Sequence, residues 1–444
     1  MAKVQATYSN IWHIAYPIML GSLAQTVLGL TDTAFLGRVG EVELGAAGIA
    51  TVFYFVLNMI GIAVGIGLQI LVARKAGEGK ISEIGKIYDH SFIIFMALAA
   101  ILVSVQYAVA PFLFQSIIQS HEICKAAETF IYYRGWGIVF MMIMASMRGF
   151  YVGIATTRII TYSAFIMTGL NVVLAYAFIF GHFGFAAMGI GGAGLANAIS
   201  EAVAGIYLLL YTFYKKEFEI YGLFRFQKSE FSVYKSIINL SSPIMLQNLI
   251  SMGSWFLFFI FIEKMGQHQL AISNMVRSTY MIMITPMWGF SAAANSMTSN
   301  LIGQGKSDEV MPLLKKIITL SLLISAGIGL INLLFPKQIL GITSSDENLI
   351  HDALGSFYVV CGAIIIFCIS LVYFSGVSGT GNTKVAMMME IVNICIYMLY
   401  VYLCVEVLKT TVEWVWAAEI IYWFLMGVMA FVYLRSNHWK KIKI

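Results

Sequence analysis

Charge is scarce in this chain. Asp, Glu, Lys and Arg make up 11% of its 444 residues, against about 25% in a soluble protein. Its 27 basic and 22 acidic side chains are too few to cover water-facing domains of this size. Cysteine is sparse as well: five residues, an odd number, with no C-x-x-C and no zinc-like spacing, which excludes a disulfide scaffold and a structural zinc site. The seven His are scattered and form no H-E-x-x-H. Gly77-Glu78-Gly79-Lys80 lacks the longer Gly-x-x-x-x-Gly-Lys-[Ser/Thr] pattern of a phosphate loop. No metal ligands or cofactor motif can be read, and the basic residues are too dispersed for a nucleic-acid partner.

What the chain has is apolar length. It is 60% hydrophobic with a mean hydropathy of +0.84, so most of its surface must face lipid. A helix crossing the hydrocarbon core needs roughly 20 apolar residues. Runs of that length fall near 11–36, 45–73, 88–112, 127–150, 160–181, 193–214, 237–263, 270–302, 317–335, 352–376, 385–407 and 413–434. The expected fold is therefore all-α and integral to the membrane, with twelve transmembrane helices. A β-barrel needs short alternating segments, and stretches such as Ile60 to Val72 do not alternate. The first run is too long for a signal peptide. Placing Met1 inside puts 20 of the 27 Lys and Arg, Lys443 among them, in inner segments, against five in outer ones. Both termini are accordingly expected in the cytoplasm.

The chain also repeats itself. Pro17-Ile18-Met19-Leu20 returns as Pro243-Ile244-Met245-Leu246, 226 residues on (243 − 17). The same spacing relates Gly40 to Gly266, Leu44 to Leu270, Gly77–Lys80 to Gly303–Lys306, Tyr132 to Tyr358, and Gly153–Arg158 to Gly379–Lys384. Each half then holds six spans beginning on the same side, a parallel repeat with a pseudo-two-fold axis along the membrane normal. The expected division is an N-lobe at 1–214, a cytoplasmic linker at 215–232 and a C-lobe at 233–444. Such repeats belong to transporters. With no ATPase motif, transport must follow an ion gradient or be passive. Most of the repeated Gly and Pro shape loops and helix ends; Pro17 is also a candidate hinge, with Gly29 a second.

Ionisable groups within spans normally face a protein interior or an aqueous cavity. Asp32, in the first span, is the leading candidate: Gly29, Gln25 and Gly21 lie one, two and three turns back on its face. A carboxylate there can take a proton on one side of the membrane and release it on the other. Asn171 in the fifth span, Tyr132 and Tyr133 in the fourth, Glu201 in the sixth and Arg277 in the eighth complete a candidate substrate and coupling network with Gln25. Glu419 occupies a place in the last span similar to that of Glu201, and a structural partnership is the expected role there. Glu390 is expected to reach water near the inner end of span eleven.

Thr31-Asp32-Thr33-Ala34-Phe35-Leu36-Gly37-Arg38-Val39-Gly40, following Pro17-Ile18-Met19-Leu20, resembles the multidrug and toxic compound extrusion (MATE) family. So do Met147-Arg148-Gly149-Phe150-Tyr151 and Ser378-Gly379-Thr380-Gly381-Asn382-Thr383, and the likeness runs over essentially the whole chain. The resemblance implies a two-lobed, twelve-helix antiporter that is not an enzyme and exports lipophilic, often cationic small compounds in exchange for H⁺ or Na⁺. It assigns the coupling carboxylate to Asp32 and a partner amide to Asn171. Ala175 stands where the DinF-like branch often has a second Asp. Ser251 stands near the span-seven Glu of other branches, and no Asp replaces their span-ten carboxylate. The span-seven and span-ten losses favour the DinF-like branch and H⁺ over Na⁺ as coupling ion. The expected setting is the inner membrane of a bacterium, with lipid and substrate as partners and the protein acting as a monomer. The alternative is a flippase for a lipid-linked or amphiphilic precursor.

Overall fold

The structure is a computed structural model that describes residues 3–226, 228–344 and 346–441; Met1 and Lys443, used above for orientation, lie outside them. The described residues are helical, without a strand. The first half runs α1 (Tyr8–Val39), α2 (Glu41–Glu78), α3 (Ile81–Ile117), α4 (His121–Arg134), α5 (Gly137–Gly153), α6 (Arg158–Phe180) and α7 (Ile190–Tyr214). The second runs α8 (Phe231–Glu263), α9 (Gln267–Ile284), α10 (Met287–Gly303), α11 (Val310–Leu334), the short α12 (Pro336–Leu340), α13 (Glu347–Gly379), α14 (Thr383–Tyr402), the short α15 (Val412–Trp416) and α16 (Ala418–Arg435).

Among the described residues, ten helices are long and apolar enough to cross a bilayer, and α4 with α5, bent by 54°, makes an eleventh. The expected eighth span corresponds to α9 and α10. It falls short because Gln267, His268, Gln269, Asn274 and Arg277 dilute α9 and because Pro286 breaks the helix. Pro286 aligns at the 226-residue spacing with Ile60, inside the unbroken α2. Proline removes a backbone donor and clashes with the preceding turn, which accounts for this break.

The repeated Gly-x-Gly-Lys landmark has a structural purpose. Gly79 and Gly305 hold left-handed backbone, φ 76° and 75°, at the ends of α2 and α10. The next amide in each copy, of Lys80 and Lys306, bonds back to the carbonyl five residues earlier at 3.1 and 2.9 Å. Glycine enters this conformation without a Cβ penalty.

Where the loops divide the chain near 214 and 233, packing divides it inside two helices. One unit comprises Leu20–Ser241, the other Lys3–Met19 with Ser242–Ile444. The start of α1 is built into the second unit. An added Cβ on Gly289 of α10 would strike Ala15 and Met19, Val4 N–H donates to Asn300 Oδ1 at 3.1 Å, and Lys316 Nζ donates to the Ala6 carbonyl at 2.6 Å. The start of α8 belongs to the first unit in the same way. Gly67 of α2 leaves room for Ser241, and the Tyr234 ring lies 4.8 Å from that of His90.

Candidate functional site

In the first unit, parallel packing of α1 on α6 sets the level of Asp32. Gly21 lies against Ala164, Thr168 Oγ1 donates to the Ala24 carbonyl at 3.1 Å, and the Phe35 and Tyr176 rings are 6.1 Å apart. Successive turns thus stay in register, and the fully buried Ala175 lies near the level of Asp32. Asn171 follows Thr168 by three residues on the same face. It is fully buried, and neither its Oδ1 nor its Nδ2 has a hydrogen-bond partner among the described residues.

The half-buried Asp32 is held from α7. Asn197 Nδ2 donates to Asp32 Oδ2 at 2.8 Å and to its own Ala193 carbonyl at 2.9 Å. Asp32 Oδ1 is buried and unpartnered. One turn beyond Asn197, Glu201 forms a closed pair: Arg134 Nη2 donates to Oε1 at 3.1 Å and Tyr54 OH to Oε2 at 2.7 Å. The Arg134 guanidinium lies 4.1 Å from the centre of the Tyr54 ring, a cation–π arrangement. Gly194 of α7 lets the Phe130 carbonyl approach to 2.6 Å of where a Cβ would stand, so α4 can bring Arg134 close. Arg134 and Glu201 both act electrostatically on Asp32, yet the guanidinium is committed to Glu201.

The other candidates are placed apart. Gln25 and Gly29 are exposed, and Pro17 is buried. Tyr132 is exposed, and Tyr133 is half-buried with its ring 5.4 Å from that of Tyr132. Arg277, in the second unit, is exposed with its guanidinium 4.9 Å from the Phe259 ring and no carboxylate within ion-pair distance among the described residues. Asn197 and Tyr54 were missed as site residues. Asn197 was legible in principle, because Asn and Glu four apart share a helix face.

The second unit holds two further buried carboxylates. Glu390 does not reach water as expected: it is 2% exposed, bonded to Ser251 Oγ and, at 2.6 Å, to Tyr422 OH. The α16 side chains cover it, because Tyr422 shares its face. Glu419 accepts from Tyr397 OH, Tyr280 OH and Trp423 Nε1, each at 3.2 Å. No group of three or more His, Cys, Asp or Glu able to hold a metal occurs among the described residues.

Buried ionisable groups on a multi-pass helical scaffold, in two halves of one pattern, define a membrane transporter. A sequence profile of the MatE family matches residues 17–177 and again 243–403, two copies at the 226-residue spacing. The chain belongs to the MatE family of multidrug efflux transporters and is not an enzyme. It is 24% identical over 443 residues to a probable multidrug resistance protein NorM of Thermotoga maritima, covering 96% of this chain and 92% of that one. A probable NorM of Pasteurella multocida is 24% identical over 79% of this chain and 75% of its own. Among solved structures, a transporter of the MOP superfamily from Pyrococcus furiosus superposes with a TM-score of 0.91 at 18% identity, over 98% and 96% of the two chains. That protein is described as having a binding pocket of reverse polarity that suggests a different function. A MATE structure in the straight conformation gives 0.91 at 18% identity, over 98% and 97%.

Proposed function

We propose that this chain is a proton-driven antiporter that exports lipophilic and cationic small compounds by alternating access, with Asp32 as the coupling carboxylate. One observation carries the reading: Asp32 is held at a single oxygen by a neutral amide, while the nearest guanidinium is taken by Glu201. A carboxylate fixed by a neutral donor can gain and lose a proton without breaking an ion pair, whereas one locked to Arg cannot. Asn197 adds an amide at Asp32 but no second carboxylate, and Ala175 supplies none. That ligand set suits a proton better than a dehydrated Na⁺.

In this reading, protonation of Asp32 from outside removes the charge at the Asn197 contact, α1 bends, and the bound compound is released. Loss of the proton on the inner side resets the site. The bend falls at Pro17, two residues before the part of α1 packed into the second unit ends. Gly29, beside which an added Cβ would meet nothing within 4 Å, gives the helix a second place to yield. The setting is a bacterial inner membrane with both termini in the cytoplasm. Efflux of a cationic dye from proteoliposomes under imposed ΔpH or ΔNa⁺ tests the proposal. ΔpH alone should drive wild-type efflux, and Asp32→Asn should insert normally but lose it. Full coupled efflux by Asp32→Asn sinks the site, and efflux driven only by ΔNa⁺ sinks the ion.

A further inference from the structure

The repeat sets two buried carboxylates side by side for comparison. Tyr54 and Tyr280 stand 226 residues apart, and each donates its hydroxyl to a Glu in the sixth span of its half: Tyr54 to Glu201, Tyr280 to Glu419. The remaining partners differ. Where the first half has Arg134, the same spacing puts the fully buried Val360. Glu419, itself 3% exposed, has no Lys, Arg or His within ion-pair distance among the described residues. Its partners are two phenols and an indole.

We propose that Glu419 is a second proton-binding site, built into the half that lacks Asp32; this rests on the reading of the chain as a proton-driven antiporter. Hydrogen-bond chemistry carries the argument. A guanidinium only donates, so Arg134 pairs with one oxygen of Glu201 and favours its anion, leaving the Tyr54 phenol on the other. A phenol both donates and accepts. As the anion, Glu419 receives the Tyr280 and Tyr397 hydroxyls. When protonated, it turns one O–H toward a phenol oxygen, whose own hydrogen rotates away. Exchange between the two forms turns a hydroxyl at the carboxyl and breaks no ion pair. One proton is gained from water and one is returned to it.

The surroundings contain nothing to fix the charge. On α9, Arg277 lies one turn before Tyr280 but is exposed over the Phe259 ring. On α14, Glu390 lies two turns before Tyr397, and its carboxyl is held by Ser251 and Tyr422. From α13 come Phe367, its ring 4.5 Å from that of Trp423, and Cys368, bonded to Ser325 at 2.6 Å. Trp423 shares its N–H between Glu419 and Tyr280 Oη, both at 3.2 Å, so its indole senses the carboxyl directly.

Infrared difference spectra of the protein as pH is stepped read the protonated carboxyl, and indole fluorescence, taken as wild type minus Trp423→Phe, reads its neighbour. Both signals should titrate together in Asp32→Asn, which lacks the Asp32 carboxyl, and adding Glu419→Gln should remove the band that titrates with the indole. Proteoliposomes of Glu419→Gln should then exchange fewer protons per dye molecule than wild type. A carboxyl band that titrates with the indole signal and persists when Glu419→Gln is added to Asp32→Asn overturns the proposal, as does the absence of such a band or an unchanged proton count. If Glu419→Gln does not fold, Trp423→Phe removes one donor and must move the midpoint of the carboxyl band; an unmoved midpoint overturns the proposal. Loss of the Asp32 reading shows itself separately, as full efflux by Asp32→Asn with the Glu419 titration intact.

Discussion

Arg134 sets how the two carboxylates of the first unit are partnered. It neutralises Glu201 and stacks on Tyr54, leaving Asp32 to a neutral amide. Removing one partner of a buried pair leaves an uncompensated charge, at a cost of about 3–5 kcal/mol. Arg134→Met should therefore lower the thermal unfolding temperature markedly in detergent, and Arg134→Met with Glu201→Gln should recover most of the loss. A single variant as stable as wild type would show that the pair is not holding α4 to α7. Asp32, Glu201 and Asn171 were legible in the sequence because ionisable and amide side chains stand out in apolar runs. Tyr54 and Trp423 were not: among 23 Tyr and 8 Trp, only packing shows which ones face a buried acid.

At the scale of single helices, the halves differ where one residue breaks a span. The first half bends between α4 and α5, and in the second Pro286 separates α9 from α10. The apolar runs were readable because lipid demands about 20 such residues whatever the tertiary context. Span eight falls on two helices, the polar α9 and the more apolar α10, so no single helix there has both the length and the hydropathy of a span. Close crossings of α2 and α5 depend on small residues, as is usual between helices in lipid. A Cβ on Gly149 would stand 2.6 Å from the Gly65 carbonyl oxygen. Gly149→Leu should destabilise the protein by about 1–3 kcal/mol through overpacking, seen as reduced monodisperse yield and a lower unfolding temperature. Gly169, where an added Cβ meets nothing within 4 Å, should accept Ala without loss.

For the chain as a whole, the 226-residue spacing made the duplication visible. The docking of the linker was not, because it rests on long-range contacts. Asp89 of α3 accepts from the Phe224 and Phe226 amides at 2.6 and 2.8 Å. Those two residues carry positive φ, 59° and 41°, a conformation that non-glycine residues adopt at a cost. His90 Nε2 accepts from the Glu230 amide at 3.0 Å, and Lys86 pairs with the Glu230 carboxylate, holding it below the ordinary carboxylate range. That pair is present above the usual Glu range and fades as pH falls through the depressed value. Asp89→Ala should free the linker, and limited trypsin digestion at Arg225 and Lys228 should become several-fold faster; an unchanged rate would show that Asp89 does not fasten it. The division of the chain inside α1 and α8 has a further consequence. Scissors applied at the linker would yield two polypeptides, each lacking a helical end that its own interior was shaped to receive. Neither piece is a self-sufficient building block.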